Sequence, residues 1–169
     1  MTFRPWLTSK TPIAPPKSAN PTWRSLLYAG VVTGAWAGLA ALVVYGLGRL
    51  LGVPFLTAPR EGDELRIVPW FVPLAVPFAV AVLGALASSL VLGRRHAKQV
   101  VLWAGGLIAI ASIAWPALQP SGVLWSTRIW LMVMHAVAWF LIVPQIARIA
   151  GDSEPDASQA RELLSEVQR

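Results

Sequence analysis

The sequence has 169 residues, of which 56% are hydrophobic and only 13% are charged, whereas an average soluble domain has about 25% charged residues. It contains no cysteine, which excludes disulfides and thiolate metal sites. The net charge of +6 comes from basic residues at the ends of apolar stretches, so it indicates membrane topology and argues against nucleic-acid binding.

Four stretches without Asp, Glu, Lys or Arg predict the helices of the protein. They cover residues 25–48, 67–93, 99–127 and 129–147. A helix needs about 20 apolar residues to cross the hydrocarbon core, so each stretch has room for one crossing. We therefore predict an all-α integral membrane protein, a four-helix bundle with spans at about 25–51, 70–92, 99–117 and 129–149.

The distribution of basic residues predicts how the helices are oriented. A Pro-rich basic arm, residues 1–24, precedes the first span, and the loop "GRRHAKQ" between the second and third spans contains no acid. The loop after the first span balances its two arginines with three acids. Because short loops rich in Lys and Arg stay in the cytoplasm, we expect both termini on the cytoplasmic side of the cell membrane.

Two segments outside the spans have patterns of their own. The runs "PFLT" and "LRIV" flank "PREGDE" and predict a small external β-hairpin between helices 1 and 2. The tail, residues 150–169, places Ala160, Leu163, Leu164 and Val167 at helical spacing, which predicts a short amphipathic helix.

Gly30, Gly34 and Gly38 lie four residues apart in the first span. In lipid, small residues at this spacing let two helix backbones approach closely. The second span offers a matching surface at Ala81 and Ala85, and the third offers Gly105 and Ala109. Two interpretations are open, namely packing inside the protein's own bundle, which we favour, or an interface with a second copy or a membrane-protein partner.

Trp36 and Trp139 lie at the midpoints of the first and fourth spans, away from the membrane interfaces where tryptophan is common. Trp36 is about 200° around its helix from Gly34, so it points away from the glycine face. The two rings either fill a shared gap between helices or line a pocket for a lipid or another apolar ligand.

His135 is the one ionisable residue well inside a predicted span. Such residues usually face the bundle interior with a partner, and Ser112 and Tyr45 fall at a similar depth. We expect a neutral imidazole that is hydrogen-bonded to one of these side chains or to a carbonyl. A proton relay or a ligand contact is the alternative role.

The sequence shows no catalytic constellation, and we expect no enzymatic activity, no metal site and no cofactor. A bis-histidine haem would need a second membrane histidine, and a Met–His pair with Met132 or Met134 remains a minor alternative. Without a carboxylate in any span, an ion-coupled transporter would lack its usual carrier group.

The segments "GLGRLLGVPF", "SIAWPALQP" and "LMVMHAVAWFLIVPQIAR" carry a family resemblance. The chain resembles, over about residues 26–149, the small four-helix membrane proteins, largely actinobacterial, that are grouped as domain of unknown function 6069. The most specific part is the last span, with Met134 and His135 ahead of "LIVPQIAR". The resemblance implies a four-helix integral membrane protein and no known activity.

Two hypotheses about function follow. In the first, the protein acts by helix–helix association, as an accessory subunit or a homo-oligomer. In the second, it binds or carries a small apolar or lipidic ligand near Trp36, Trp139 and His135. A continuous cavity at those residues favours the ligand, whereas a filled core with an exposed small-residue face favours association. The lipid bilayer is an expected partner in both.

Overall fold

The computed structural model describes residues 21–153, which form four long helices and one short hairpin. The helices are α1 (Trp23–Leu50), α2 (Val72–Ser88), α3 (Ala97–Ala117) and α4 (Trp125–Gly151). The strands β1 (Leu56–Thr57) and β2 (Arg66–Ile67) connect α1 to α2, and a 3-10 turn, Ser89–Val91, extends α2. The basic arm up to residue 20 and the predicted tail helix from residue 154 onward lie outside the described residues.

Within residues 21–153, the four helices are long and apolar enough to cross a membrane. Their bounds agree with the predicted spans to within four residues, and α4 begins at Trp125, four residues before the predicted start. The difference arises at Arg128, the charged residue that separates the last two charge-free stretches and therefore fell outside the predicted span. In the structure, this arginine lies in the first turn of α4. Its charge is accommodated there because the guanidinium donates hydrogen bonds to three backbone carbonyls.

The helices pack in the spatial order α2, α1, α4, α3. Helix α1 lies against both α2 and α4, and α3 lies against α4, whereas α2 and α3 share no extended contact. Successive helices therefore pack closely within each of the pairs α1–α2 and α3–α4, although the connection between α1 and α2 contains the hairpin. The bundle is therefore two helical hairpins joined along α1 and α4, with a gap between its outer members.

The glycines of α1 pack against α2. A Cβ added to Gly30 would lie 2.6 Å from the Cβ of Ala85, one added to Gly34 would lie 2.9 Å from the Cβ of Ala81, and one added to Gly38 would lie 2.5 Å from the carbonyl oxygen of Leu74. Real side chains do not approach this closely, so only glycine permits this helix separation. The structure thus shows packing inside the bundle, the first of the two interpretations above.

The predicted hairpin is present, with Leu56 paired to Ile67 and Thr57 paired to Arg66 in antiparallel register. It is shorter than the two four-residue runs because the chain turns into the bundle at Phe55, whose φ is +51°. The Phe55 ring is fully buried, with its centroid 4.5 Å from that of Tyr45. This aromatic pair fixes the base of the hairpin on α1.

Polar contacts hold the hairpin loop to the connection between α3 and α4. The Ser121 hydroxyl donates to Oε1 of Glu61 at 2.6 Å, and the Ser121 N–H donates to Oε2 at 3.3 Å. With the Gln119 amide oriented to suit its neighbours, its nitrogen donates to the carbonyl of Ala58 at 2.9 Å. The hairpin therefore lies across one end of the bundle, called here the hairpin end; the opposite end, with residues 92–96, is the basic-loop end.

Candidate functional site

A groove lies between α2 and α3, where the two helices do not pack, and α4 forms its floor. It is partly enclosed and has a cavity volume of about 540 Å³. The side chains that line this α2–α3 groove are nearly all apolar and include Val72, Pro73, Val76, Pro77, Val80, Gly84 and Ser88 of α2, Val101, Ala104, Gly105, Ile108, Ala109 and Ser112 of α3, and Leu131, Met134, His135, Ala138, Trp139, Ile142 and Val143 of α4.

The groove exists because both of its walls are built from small or β-branched residues. On α2, Val72, Val76, Val80 and Gly84 recur every four residues, so they share one face of the helix. The opposite wall of α3 is formed by residues of similar size, among them Ala104. Leucine or phenylalanine at these positions would fill the space, whereas these short side chains leave it open.

His135 lines the groove, and its ring is tied to its own helix. Its Nδ1 lies 2.8 Å from the carbonyl oxygen of Leu131, one turn earlier. A carbonyl oxygen can only accept, so Nδ1 carries the proton and donates. The other nitrogen, Nε2, has no hydrogen-bond partner within the part of the chain that the structure describes. Of the three partners considered from the sequence, the structure thus selects a carbonyl.

Ser112 shares the groove with His135 but does not bond to it. Its hydroxyl donates to the carbonyl of Ala109 at 2.9 Å. Ser88, on the opposite wall, donates in the same way to the carbonyl of Gly84 at 2.7 Å. Both hydroxyl protons are therefore used within their own helices, a common arrangement for serine in an apolar environment.

Trp139 follows His135 by one helical turn and also lines the groove. Its indole Nε1 is buried and has no acceptor among residues 21–153. An unpaired buried donor costs about 1–3 kcal/mol, which makes this N–H a notable feature of an otherwise apolar wall.

Trp36 and Tyr45 do not line the groove. Trp36 is 45% exposed on the outer face of α1 and does not line the groove. The cause is the glycine stripe, because packing Gly34 and Gly38 on α2 turns the opposite face of α1 outward. The Tyr45 hydroxyl donates to the carbonyl of Val68 at 2.9 Å, so it stabilises the hairpin. A gap shared by Trp36 and Trp139 is therefore absent from residues 21–153.

Arg128 is a polar feature that the sequence analysis did not single out. It is only 8% exposed, and its guanidinium donates to the carbonyls of Val123, Ala117 and Pro120 at 3.1, 3.0 and 2.6 Å. The carbonyls at the end of a helix have no partner within that helix, and Arg128 satisfies that of Ala117 at the end of α3. The guanidinium also lies 4.8 Å from the centroid of the Trp125 ring. The three-residue spacing of Trp125 and Arg128, which puts both side chains on one helix face, is the sequence signal that could have revealed this buried arginine.

Four candidate membrane spans and a groove that opens sideways between two of them define a helical, multi-pass membrane protein. The chain belongs to the family of unknown function DUF6069, whose family model matches residues 21–152. This confirms the resemblance inferred from the sequence. No curated protein matches the chain, and no solved structure matches it.

Proposed function

We propose that the protein is a non-enzymatic membrane protein that binds a small apolar or lipidic molecule in the α2–α3 groove. The observation that carries this proposal is the groove itself. Its volume of about 540 Å³ lies within the range of about 300–1,000 Å³ that is typical of small-molecule sites. Such sites are mostly apolar with a few polar groups, and His135 and Trp139 are polar groups in this one.

The shape of the groove supports an elongated ligand that enters from the membrane. The groove follows α2 and its extension, Val72–Val91, which at 1.5 Å per residue is about 30 Å long. This length matches the thickness of the hydrocarbon core. Because the opening lies between two candidate spans, a hydrophobic molecule reaches it without leaving the bilayer.

Action by helix–helix association, as a homo-oligomer or an accessory subunit, has less support. It relied on the glycines of α1 as the interface, and α2 already covers them. A partner helix could instead use the α2–α3 groove, and the experiment below distinguishes that occupant from a small molecule.

The orientation in the cell membrane is part of the proposal. The basic-loop end carries Arg94, Arg95 and Lys98, whereas the connection at the hairpin end carries Glu61, Asp63 and Glu64 as well as arginines. By the distribution of Lys and Arg, the basic-loop end and both termini face the cytoplasm.

The test compares two phenylalanine substitutions on α3. Ala104 lines the groove, so Ala104→Phe fills part of it; Leu107 is 67% exposed and lies outside the groove, so Leu107→Phe is the matched control. Each full-length protein is purified from its membrane in mild detergent and analysed by native mass spectrometry and extraction of bound molecules. We expect the wild-type protein and Leu107→Phe to retain one defined apolar molecule, and Ala104→Phe to lose it.

Two results would overturn the proposal. One is an Ala104→Phe protein that retains the same bound molecules as the control, which would place them outside the groove. The other is a homodimer or a stoichiometric partner protein that Ala104→Phe dissociates and Leu107→Phe preserves. That second result would identify the groove as a docking site for a helix.

A further inference from the structure

His135 brings an unused hydrogen-bond acceptor to the α4 floor of the groove. We propose that the groove selects an apolar molecule bearing a hydroxyl group, and that this hydroxyl donates a hydrogen bond to Nε2 of His135. The inference rests on the proposed function, which it narrows from apolar molecules in general to apolar alcohols.

The geometry of the imidazole determines which group it can bind. Nδ1 donates to the Leu131 carbonyl at 2.8 Å, so in the neutral ring Nε2 has a lone pair and no proton. This nitrogen can therefore accept a hydrogen bond but cannot donate one. A carbonyl, ether or ester oxygen has no proton to donate to Nε2, whereas a hydroxyl group can donate a hydrogen bond to it.

The other side-chain polar groups of the groove do not supply that proton. The hydroxyls of Ser88 and Ser112 donate to the carbonyls of Gly84 and Ala109 in their own helices. Trp139 lies on the same face of α4 as His135, four residues later, and its buried indole N–H finds no acceptor in the described part of the chain. A ligand hydroxyl at His135 would bring both a proton for Nε2 and an acceptor oxygen to this face.

The depth of His135 excludes the common membrane lipids as a match. It follows Ile129, the first residue of the predicted fourth span, by six positions, so it lies about 9 Å, or nearly two helical turns, inside that boundary of the hydrocarbon core. The phosphate and ester groups of a phospholipid stay near the interface, so only its acyl chains would pass His135. An acyl chain has no donor, and Nε2 would remain unpaired beside it.

A charged donor is also a poor match. An ammonium group would pay a large desolvation cost at this depth. The groove residues include no carboxylate that could pair with it, among residues 21–153. A neutral hydroxyl provides the proton without that cost.

Two probes test the inference, an alcohol and an ether in which a methyl group replaces the hydroxyl proton. One is an eighteen-carbon alcohol with its hydroxyl at mid-chain, and the other is the methyl ether of the same alcohol. Their binding to the purified full-length protein is titrated by native mass spectrometry. We expect the wild-type protein to bind the alcohol about three- to ten-fold more tightly than the ether, as one hydrogen bond provides.

Three variants link this preference to His135. His135→Phe keeps a ring of similar size without the acceptor, and we expect it to bind the alcohol and the ether equally. His135→Gln retains an acceptor oxygen, and we expect it to keep part of the preference. Trp36→Phe, which changes an exposed ring outside the groove, should behave like the wild type. The unfolding midpoint of each variant is measured alongside.

The outcomes separate this inference from the proposed function. The hydroxyl inference is overturned if the wild type binds the two probes equally, or if His135→Phe still prefers the alcohol to the ether. Either result would leave the proposal of an apolar binding site standing. If the wild type binds neither probe and Ala104→Phe loses no bound molecule, the proposed function itself fails. If His135→Phe does not fold, the ratio of the dissociation constants of the two probes still tests the inference. This ratio is then compared between the wild type and His135→Gln.

Discussion

Gly38 of α1 lies so close to Leu74 of α2 that a Cβ at position 38 would be 2.5 Å from the Leu74 carbonyl oxygen. The neighbouring atom is backbone, so a side chain at position 38 cannot be accommodated by a change of rotamer. Contacts of this kind are typical of small-residue helix packing in membranes, where dispersion and weak Cα–H···O contacts replace the hydrophobic drive between helices.

Gly38→Ala should therefore separate α1 from α2 and destabilise the protein by about 1–3 kcal/mol, as overpacking does. Gly46, on the same helix, is the matched control because nothing lies within 4 Å of a Cβ added there. Gly46→Ala should be neutral or should stabilise the helix by up to about 1 kcal/mol. Unfolding by SDS titration in mixed micelles measures both; equal stability of the two variants would contradict the packing of α1 on α2.

Arg128 should be sensitive even to a conservative change. Lysine at this position keeps the charge but cannot reproduce the three directed hydrogen bonds or the stacking on Trp125. We expect Arg128→Lys to lower the free energy of unfolding by about 2–3 kcal/mol.

The control for Arg128 is Arg60→Lys, in the exposed hairpin loop, which we expect to leave unfolding unchanged. The two free energies of unfolding are compared under the same micelle conditions. A loss of stability at Arg60 as large as that at Arg128 would show that the buried guanidinium is not the cause.

Tyr45→Phe should loosen the hairpin without disturbing the helices. It removes the hydroxyl that donates to the Val68 carbonyl and keeps the ring that packs on Phe55. The expected cost is about 1 kcal/mol, seen as faster backbone hydrogen exchange in residues 53–68. Tyr28, which is 57% exposed, provides the control: Tyr28→Phe should leave this exchange unchanged, and an equal effect of the two variants would refute the assigned role.

The proposed orientation can be tested with single cysteines because the chain contains none. Leu65→Cys lies in the exposed hairpin loop, and His96→Cys lies in the exposed basic loop; neither alters the Lys and Arg distribution. A membrane-impermeant maleimide should label Leu65→Cys in intact cells and label His96→Cys only after the cells are lysed. The reverse labelling pattern would show that the protein has the opposite orientation in the membrane.

The sequence by itself determined the four helices, the hairpin and the family. Helix positions follow from the length of the charge-free stretches, which is a local property of the chain, and the bounds differ by only a few residues. The difference at the start of α4 arose because Arg128 was judged by its charge alone. Its carbonyl partners at Ala117 and Pro120 come from the end of α3 and the connection that follows it, so they are not evident in the local sequence.

The tertiary structure alone decided which residues share a site. Trp36 and Trp139 both lie at mid-span, but the close approach of Gly34 and Gly38 to α2 turns Trp36 away from the groove. His135 and Ser112 do line one groove, yet each is bonded to a carbonyl of its own helix. Depth along a helix can be read from residue number, whereas the direction of a side chain around the bundle depends on which helices pack together. In this protein α2 and α3 do not pack, and that absence of contact creates the groove.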